Sequence, residues 1–175
     1  GISVPTIYAS LNARVMSSLK VQRSEIEKTI PMEAIKDFDL GEISTGMKPL
    51  FDAVVLATIA SYAQGMDILS EASSVYNYEL NMPSIAQIWK GGCIIRSKLL
   101  KKIQDAYQKD PNLKNLIFDD WFNNEISTRI DNLESVVSSS TKAGIPVPCI
   151  SSTIDYLNSY RTNRLTQNLV QDMRD

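Results

Sequence analysis

The side chains available for chemistry here are carboxylates, lysines, arginines, tyrosines and two cysteines; among the 175 residues there is no histidine. That absence removes the commonest general base, the usual serine and cysteine triads, and most catalytic zinc sites. Cys93 and Cys149 are too few for a disulfide framework or a cysteine zinc site, and they read as small buried residues in a reducing compartment. Asp119-Asp120 and the scattered glutamates show no metal-ligand spacing. The aspartate pair precedes an apolar helix, where acids favour the positive end of the helix dipole. Lys90, Arg96, Lys98, Lys101 and Lys102 form a basic cluster with two readings. One is a solvated helix face, partly balanced by Asp105 four residues after Lys101; the other is a site for phosphate or an acidic partner. Gly91-Gly92 follows a helical segment rather than a strand, so it is not a dinucleotide fingerprint.

The elements that must hold these groups are helices. From Thr6 to about Lys28, Ile7, Leu11, Val15 and Leu19 recur at four-residue spacing, which predicts one helix entered at Pro5 and left at Pro31. Residues 31–50 carry two prolines and two glycines and read as a connection, with a short helical turn over Glu33–Asp39. Leu50 to Tyr76 is apolar nearly all round, the pattern of a helix at the centre of a domain or in a subunit interface. Gly65 within it suggests close helix packing. A further helix opens at Pro83-Ser84, with Ser84 as N-cap, and runs to Asp110-Pro111. Gly91-Gly92 interrupts it, as a close backbone approach or as a hinge, of which we favour the approach. Short helix is expected over 112–118, then a longer one over Asp119–Lys142 closed by Gly144. Ile145-Pro146-Val147-Pro148 reads as a stiff extended link, followed by helices over Cys149–Tyr160 and from Thr166 onward. No strand-like alternation of useful length occurs, and the fold class is all-α.

Composition sets outer bounds. Hydrophobic residues make up 43% and charged residues 22%, an ordinary globular balance. The formal charge of −2 provides no basic excess to mark a nucleic-acid binder. The sequence shows neither a charged-then-apolar leader nor an apolar run read as long enough to span a bilayer, and a cytosolic protein is expected.

On residues alone this is a helical domain of unknown role, but longer motifs add a resemblance. Ser61-Tyr62-Ala63-Gln64-Gly65 is followed by Ile88-Trp89-Lys90-Gly91-Gly92-Cys93-Ile94-Ile95-Arg96-Ser97. Then come Ala143-Gly144-Ile145-Pro146-Val147-Pro148-Cys149 and Tyr156-Leu157-Asn158-Ser159-Tyr160-Arg161. In order and spacing, with Ala13-Arg14, Ser17-Ser18-Leu19-Lys20 and the closing Gln171 to Asp175, these resemble the C-terminal helical domain of decarboxylating 6-phosphogluconate dehydrogenases. The similarity runs over essentially all of residues 1–175 and is poorest over 31–50.

The resemblance implies a homodimeric, NADP-dependent oxidative decarboxylase of the pentose phosphate route, converting 6-phosphogluconate to ribulose 5-phosphate, carbon dioxide and NADPH. This chain corresponds to its substrate-binding and dimer-forming part. The family's Rossmann domain, its general-base lysine and its general-acid glutamate lie upstream of the matched region, so the chain is expected to be an inactive fragment that binds no coenzyme itself. Two substrate contacts carry over by motif: Arg14 to the substrate phosphate, and Arg174 to the phosphate in the other subunit's site. Guanidinium groups suit that task, being bidentate and charged at any working pH. The chain departs from the family pattern at Asn12, where an aromatic residue is usual, and at Met173, where glutamine is usual; it also stops before the family's tail histidine. The rival expectations are a non-catalytic helical interaction module and a domain from a related hydroxyacid dehydrogenase.

Overall fold

The computed structural model describes residues 1–32, 47–92, 94–95 and 97–173. The expected turn over Glu33–Asp39, Cys93, Arg96 and Arg174 lie outside the described residues. Those described are helical, with no strand among them. In chain order they form α1 (Pro5–Ser18), α2 (Lys20–Thr29), α3 (Lys48–Tyr76), α4 (Met82–Ile88), α5 (Leu99–Lys109), a 3-10 turn (Leu116–Phe118), α6 (Asp120–Ser127), α7 (Ile130–Lys142), α8 (Pro148–Arg161) and α9 (Asn168–Asp172).

The hub is α3, 29 residues long and apolar because α1, α6, α7, α8 and the 3-10 turn all pack on it. Ala53, Leu56, Ile59, Ala60, Ala63 and Met66 form its buried stripe at three- and four-residue spacing. It is also long and apolar enough, by length and composition, to cross a membrane, which corrects the reading that no segment could. Core packing accounts for one face only, because Phe51 and Val54 on the other are exposed. An αL residue, Asn77, ends the helix at φ 56°. α4 and α5 lean on each other and add Met82, Ala86, Leu100, Ile103, Ala106 and Tyr107 to the core.

Several expected helices are divided. The single helix over Thr6–Lys28 is α1 and α2, broken at Leu19. There Ser18 Oγ donates to the Val15 carbonyl (2.7 Å), and the Arg23 guanidinium donates to the Ser17 carbonyl (3.2 Å). The helix over Asp119–Lys142 is likewise α6 and α7. Ser127 and Thr128 hydroxyls turn back to the Asn123 and Asn124 carbonyls (2.6 and 2.9 Å), and Arg129 reaches the Glu125 carbonyl (3.3 Å). Ser18 alone at the first break, and two adjacent hydroxyls at the second, compete for helix carbonyls, and at each an arginine bonds a further carbonyl.

The helix expected from Pro83-Ser84 to Asp110-Pro111 is α4 and α5, and its N-cap is not Ser84 but Asn81, whose side chain accepts from Ser84 N (2.9 Å). At Gly92 the backbone takes φ +78°, a conformation that favours glycine, and nothing among the described residues lies within 4 Å of a Cβ there; at Gly91 the Ile88 carbonyl oxygen lies 3.4 Å from one, an ordinary contact within the same segment. Gly65 also has nothing within 4 Å of a built Cβ, so the close packing expected there is not made among the described residues. Cys149, expected buried, is half-buried, and α8 begins at Pro148, within the expected extended link; two readings of helix ends hold as made. Asp119 caps α6 by accepting from Trp121 and Phe122 amides (3.0 and 3.3 Å), and Gly144 at φ +66° follows α7.

Candidate functional site

Arg14 depends on α1, and α1 is held in an unexpected way. Its apolar stripe, Ile7, Leu11 and Val15, is 38%, 57% and 52% exposed. The side turned inward is Thr6, Ala9 and Ala13, with α8 as the main neighbour. What fixes the helix is a buried polar junction. Gln64, 0% exposed on α3, accepts from the Thr6 and Ile7 amides through Oε1 (3.0 and 3.3 Å) and donates Nε2 to Thr6 Oγ1 (3.0 Å). Thr6 Oγ1 lies 3.4 Å from Thr153 Oγ1 of α8, and Thr153 donates to the Cys149 carbonyl (2.7 Å). A side chain from another helix thus supplies the acceptor that the first turn of α1 lacks, since Val4 provides no side-chain cap.

Arg14 sits eight residues beyond Thr6, about 12 Å along the axis at 1.5 Å per residue. It is exposed, and no carboxylate among the described residues pairs with it. On the same stretch of α1, Asn12, Ala13, Met16 and Ser17 face Pro146–Pro148, Ser151 and Arg23 across an open groove of about 690 Å³. Asn12, in the place where the family usually has an aromatic residue, is therefore a groove-lining position. An unpaired guanidinium can take two oxygens of a phosphate at once. Arg174, the other expected contact, lies outside the described residues, so the structure does not test whether it approaches a substrate.

Three members of the basic cluster have local partners. Lys90 donates to Gln104 (2.6 Å), Lys101 to Asp105 (2.5 Å), and the Lys102 ammonium stands 5.0 Å from the Trp121 ring centre. Lys98 is exposed. The solvated-face reading accounts for these residues, including the Lys101–Asp105 pair.

Two carboxylates, Asp52 buried and Asp67 half-buried, were not singled out from sequence. Asp52 on α3, 2% exposed, bonds Lys48 (2.5 Å) and Asn132 (2.7 Å) and pairs with Arg129 (3.1 Å), which also pairs with Glu125 (2.9 Å). Burial pushes its carboxyl up, but the hydrogen bonds from Lys48 and Asn132, with the charges of Lys48 and Arg129, outweigh this and hold it below the usual value. Asp67 is the opposite case: burial raises it to about 6, only partly countered by a hydrogen bond from Asn115. The available signal was a polar residue within a helix otherwise apolar all round.

The described residues contain no strand, and no group of three or more potential metal ligands occurs among them. Fold and site together define a class: an all-helical domain organised on one long helix, with an exposed arginine projecting from its first.

Comparison with known proteins makes that class specific. Residues 1–175 match the family model described as 6-phosphogluconate dehydrogenase, C-terminal domain, and the chain belongs to that family. It is 43% identical over 175 residues to a decarboxylating 6-phosphogluconate dehydrogenase of Synechococcus elongatus, covering 100% of this chain and 37% of the relative. To the human enzyme of the same name it is 36% identical over 175 residues, 100% of this chain and 36% of that one. The solved Plasmodium falciparum 6-phosphogluconate dehydrogenase superposes with a TM-score of 0.91 at 34% identity, over 99% of this chain and 37% of that one. That protein is described apo, with its cofactor NADP+ and with its substrate 6-phosphogluconate. The chain therefore spans little more than a third of the length of these relatives.

Proposed function

We propose that this chain is the substrate-binding and dimer-forming part of an NADP-dependent oxidative decarboxylase that turns 6-phosphogluconate into ribulose 5-phosphate, carbon dioxide and NADPH. The observation that carries the reading is Arg14: an exposed guanidinium, without a carboxylate partner among the described residues, on a helix anchored by Gln64, in a chain of this family. Its role is to take the substrate phosphate in its own subunit, and that of Arg174 is to take the phosphate in the partner's site. The chain binds no dinucleotide itself; NADP belongs to a nucleotide-binding domain of the parent polypeptide, which also carries the proton-transfer residues, so the chain by itself is inactive. The assignment to a homodimer is supported by the second face of α3. Phe51 and Val54 are 63% and 50% exposed there, beside an apolar groove of about 640 Å³ that runs past Gly65 to the fully exposed Ile94. We place the protein in the cytosol.

NADPH formation by the intact gene product with 6-phosphogluconate and NADP tests the activity. Arg14→Ala in that protein is expected to raise the Michaelis constant for 6-phosphogluconate about 30- to 150-fold, from the roughly 2–3 kcal/mol of a lost charged hydrogen bond. An unchanged constant removes Arg14 from the site, whereas no turnover by a folded intact protein rejects the activity itself. Elution of the chain as a stable monomer counts against the dimer surface.

A further inference from the structure

The composition of α1 is that of a helix covered on both sides, and the domain covers one. Its inward face, Thr6, Ala9 and Ala13, is small and lies chiefly on α8. On the opposite side Ile7, Leu11 and Val15 stay exposed, with the Tyr8 ring beside them. At about 100° per residue, Arg14 follows Leu11 by three positions and Ile7 by seven, and so shares that outward face. It is the one charged residue among the 14 of α1. A helix left to solvent carries charge on its outer side. The next helix, α2, shows the contrast: Lys20, Arg23, Glu25, Glu27 and Lys28 fall within 10 residues, none of them buried.

Size and attachment decide what covers this face. Three aliphatic side chains and one tyrosine are few against the roughly 20–30 residues a side of a stand-alone association. Such a face suits a partner already tethered beside it, because tethering raises the effective concentration to about millimolar without any new contact. The chain matches the family's C-terminal domain and covers 37% of its Synechococcus relative, so on the reading proposed above the rest of the parent enters through Gly1. Gly1 stands four residues before Pro5, which keeps the point of entry within roughly 14 Å of the first turn of α1 at about 3.5 Å per extended residue. A second copy has instead the broader apolar face of α3, around Phe51, Val54 and Ile94.

We propose that the Ile7, Leu11 and Val15 face of α1 is the seat of the polypeptide that precedes Gly1, an intrachain contact with an apolar surface of that part, and that this contact sets Arg14 on the seam between the two. The inference rests on the reading of this chain as the C-terminal part of a longer enzyme. It also gives Arg14 a setting that the bare helix lacks. A guanidinium on an open helix meets a phosphate in water, where such a pairing is weak. Covering the stripe removes water from one side of the guanidinium, and the lower local dielectric strengthens its attraction for the anion. The same contact brings upstream side chains against whatever Arg14 holds, so the site is incomplete without the docked part.

Leu11→Cys in the intact gene product reads the contact. Maleimide labelling of that thiol, followed by mass spectrometry of its peptide, is expected to run more than about tenfold slower in the native protein than in the urea-unfolded one, since only opening of the contact exposes it. A smaller slowing overturns the proposal. A photo-cross-linker attached at the same thiol then identifies the cover, in dimers assembled from isotope-labelled and unlabelled protein. Cross-links to residues before Gly1 within one isotope class support the intrachain seat, and mixed-isotope pairs show a second copy and overturn it. Should Leu11→Cys fail to fold, Val15→Cys, exposed to a similar degree, carries the same measurements. NADPH formation by the unmodified intact protein reports the activity separately. Fast labelling with full turnover rejects the docking and keeps the activity, whereas slow labelling with isotope-pure cross-links and no turnover does the reverse.

Discussion

Replacing Gln64 by leucine tests how this domain holds its first helix. The side chain is fully buried and makes three bonds to Thr6 and Ile7, so the substitution conserves approximate volume while removing one acceptor that serves two amides and one donor to a hydroxyl. An unsatisfied buried donor costs about 1–3 kcal/mol, and loss of a helix N-cap about 0.5–2 kcal/mol. The first turn of α1 lies at the edge of the domain and regains some water when it loosens, so the sum does not reach its ceiling. We expect a loss of about 3 kcal/mol. In urea the midpoint should drop with the slope unchanged, and Tm should fall by about 6–12 °C for a chain of this size. Exchange of the Thr6 and Ile7 amides should accelerate far more than exchange in α7, which does not touch the junction. Gln64→Glu keeps the acceptor and places a negative charge at the positive end of α1, at the cost of burying it, and is expected between leucine and the native residue. A Gln64→Leu protein within 0.5 kcal/mol of native, with unaltered exchange at Thr6 and Ile7, would refute the claim that this junction anchors α1.

Three further substitutions test buried charge and capping. Asp52 has a folded pKa below its unfolded value of 3.8, so its contribution is present above that value and is lost as pH falls through the folded one. Asp52→Asn should therefore flatten the acid limb of the stability profile below about pH 4, whereas Arg129→Met, which leaves the carboxylate short of a partner, should cost about 1–3 kcal/mol at pH 7 in urea unfolding. Asp119→Ala removes the acceptor for two α6 amides and should cost about 1 kcal/mol, a Tm decrease of about 2–4 °C by calorimetry.

The long helix was legible because an apolar run from Leu50 to Tyr76 without proline has few alternatives, and the cap at Asp119 and the stop at Gly144 follow from chemistry confined to a few residues. The breaks were not. Ser17-Ser18 and Ser127-Thr128 interrupt helices, yet Ser138-Ser139-Ser140 sits inside a continuous α7. The difference lies in an arginine placed to take a freed carbonyl, which is a contact rather than a pattern. The same limit applied to α1. Four-residue spacing identified a helix with one apolar face, but spacing does not say which face the domain covers, and the inward side is the one with Thr6 and two alanines. Arg14 was reached only through the resemblance, because a lone arginine on a helix carries no signal of its own. Gln64 had been quoted as part of a motif, but its role as the cap of a helix 58 residues away is visible only in three dimensions.

The polar residues on α3 explain how an otherwise apolar helix serves as a precise hub. An aliphatic stripe can be packed in several rotations and shifts at similar cost, since hydrophobic burial is non-directional. Asp52, Gln64 and Asp67 remove that freedom, because each satisfies groups on a different neighbour: Asp52 on Arg129 and α7, Gln64 on α1, and Asp67 on Asn115 beside α8. A slip of α3 by one turn would strand all three, at the cost of buried unpaired groups rather than a few lost methyl contacts. Of the three, the Gln64 contact holds α1, and with it Arg14, against the domain body. On this account single losses at the three positions should be separable in place, each loosening its own neighbour first. Exchange measured across the variants of Gln64, Asp52 and Asp67 should show α1, α7 and α8 responding in turn, and a uniform response from all three helices would argue for a single undivided core instead.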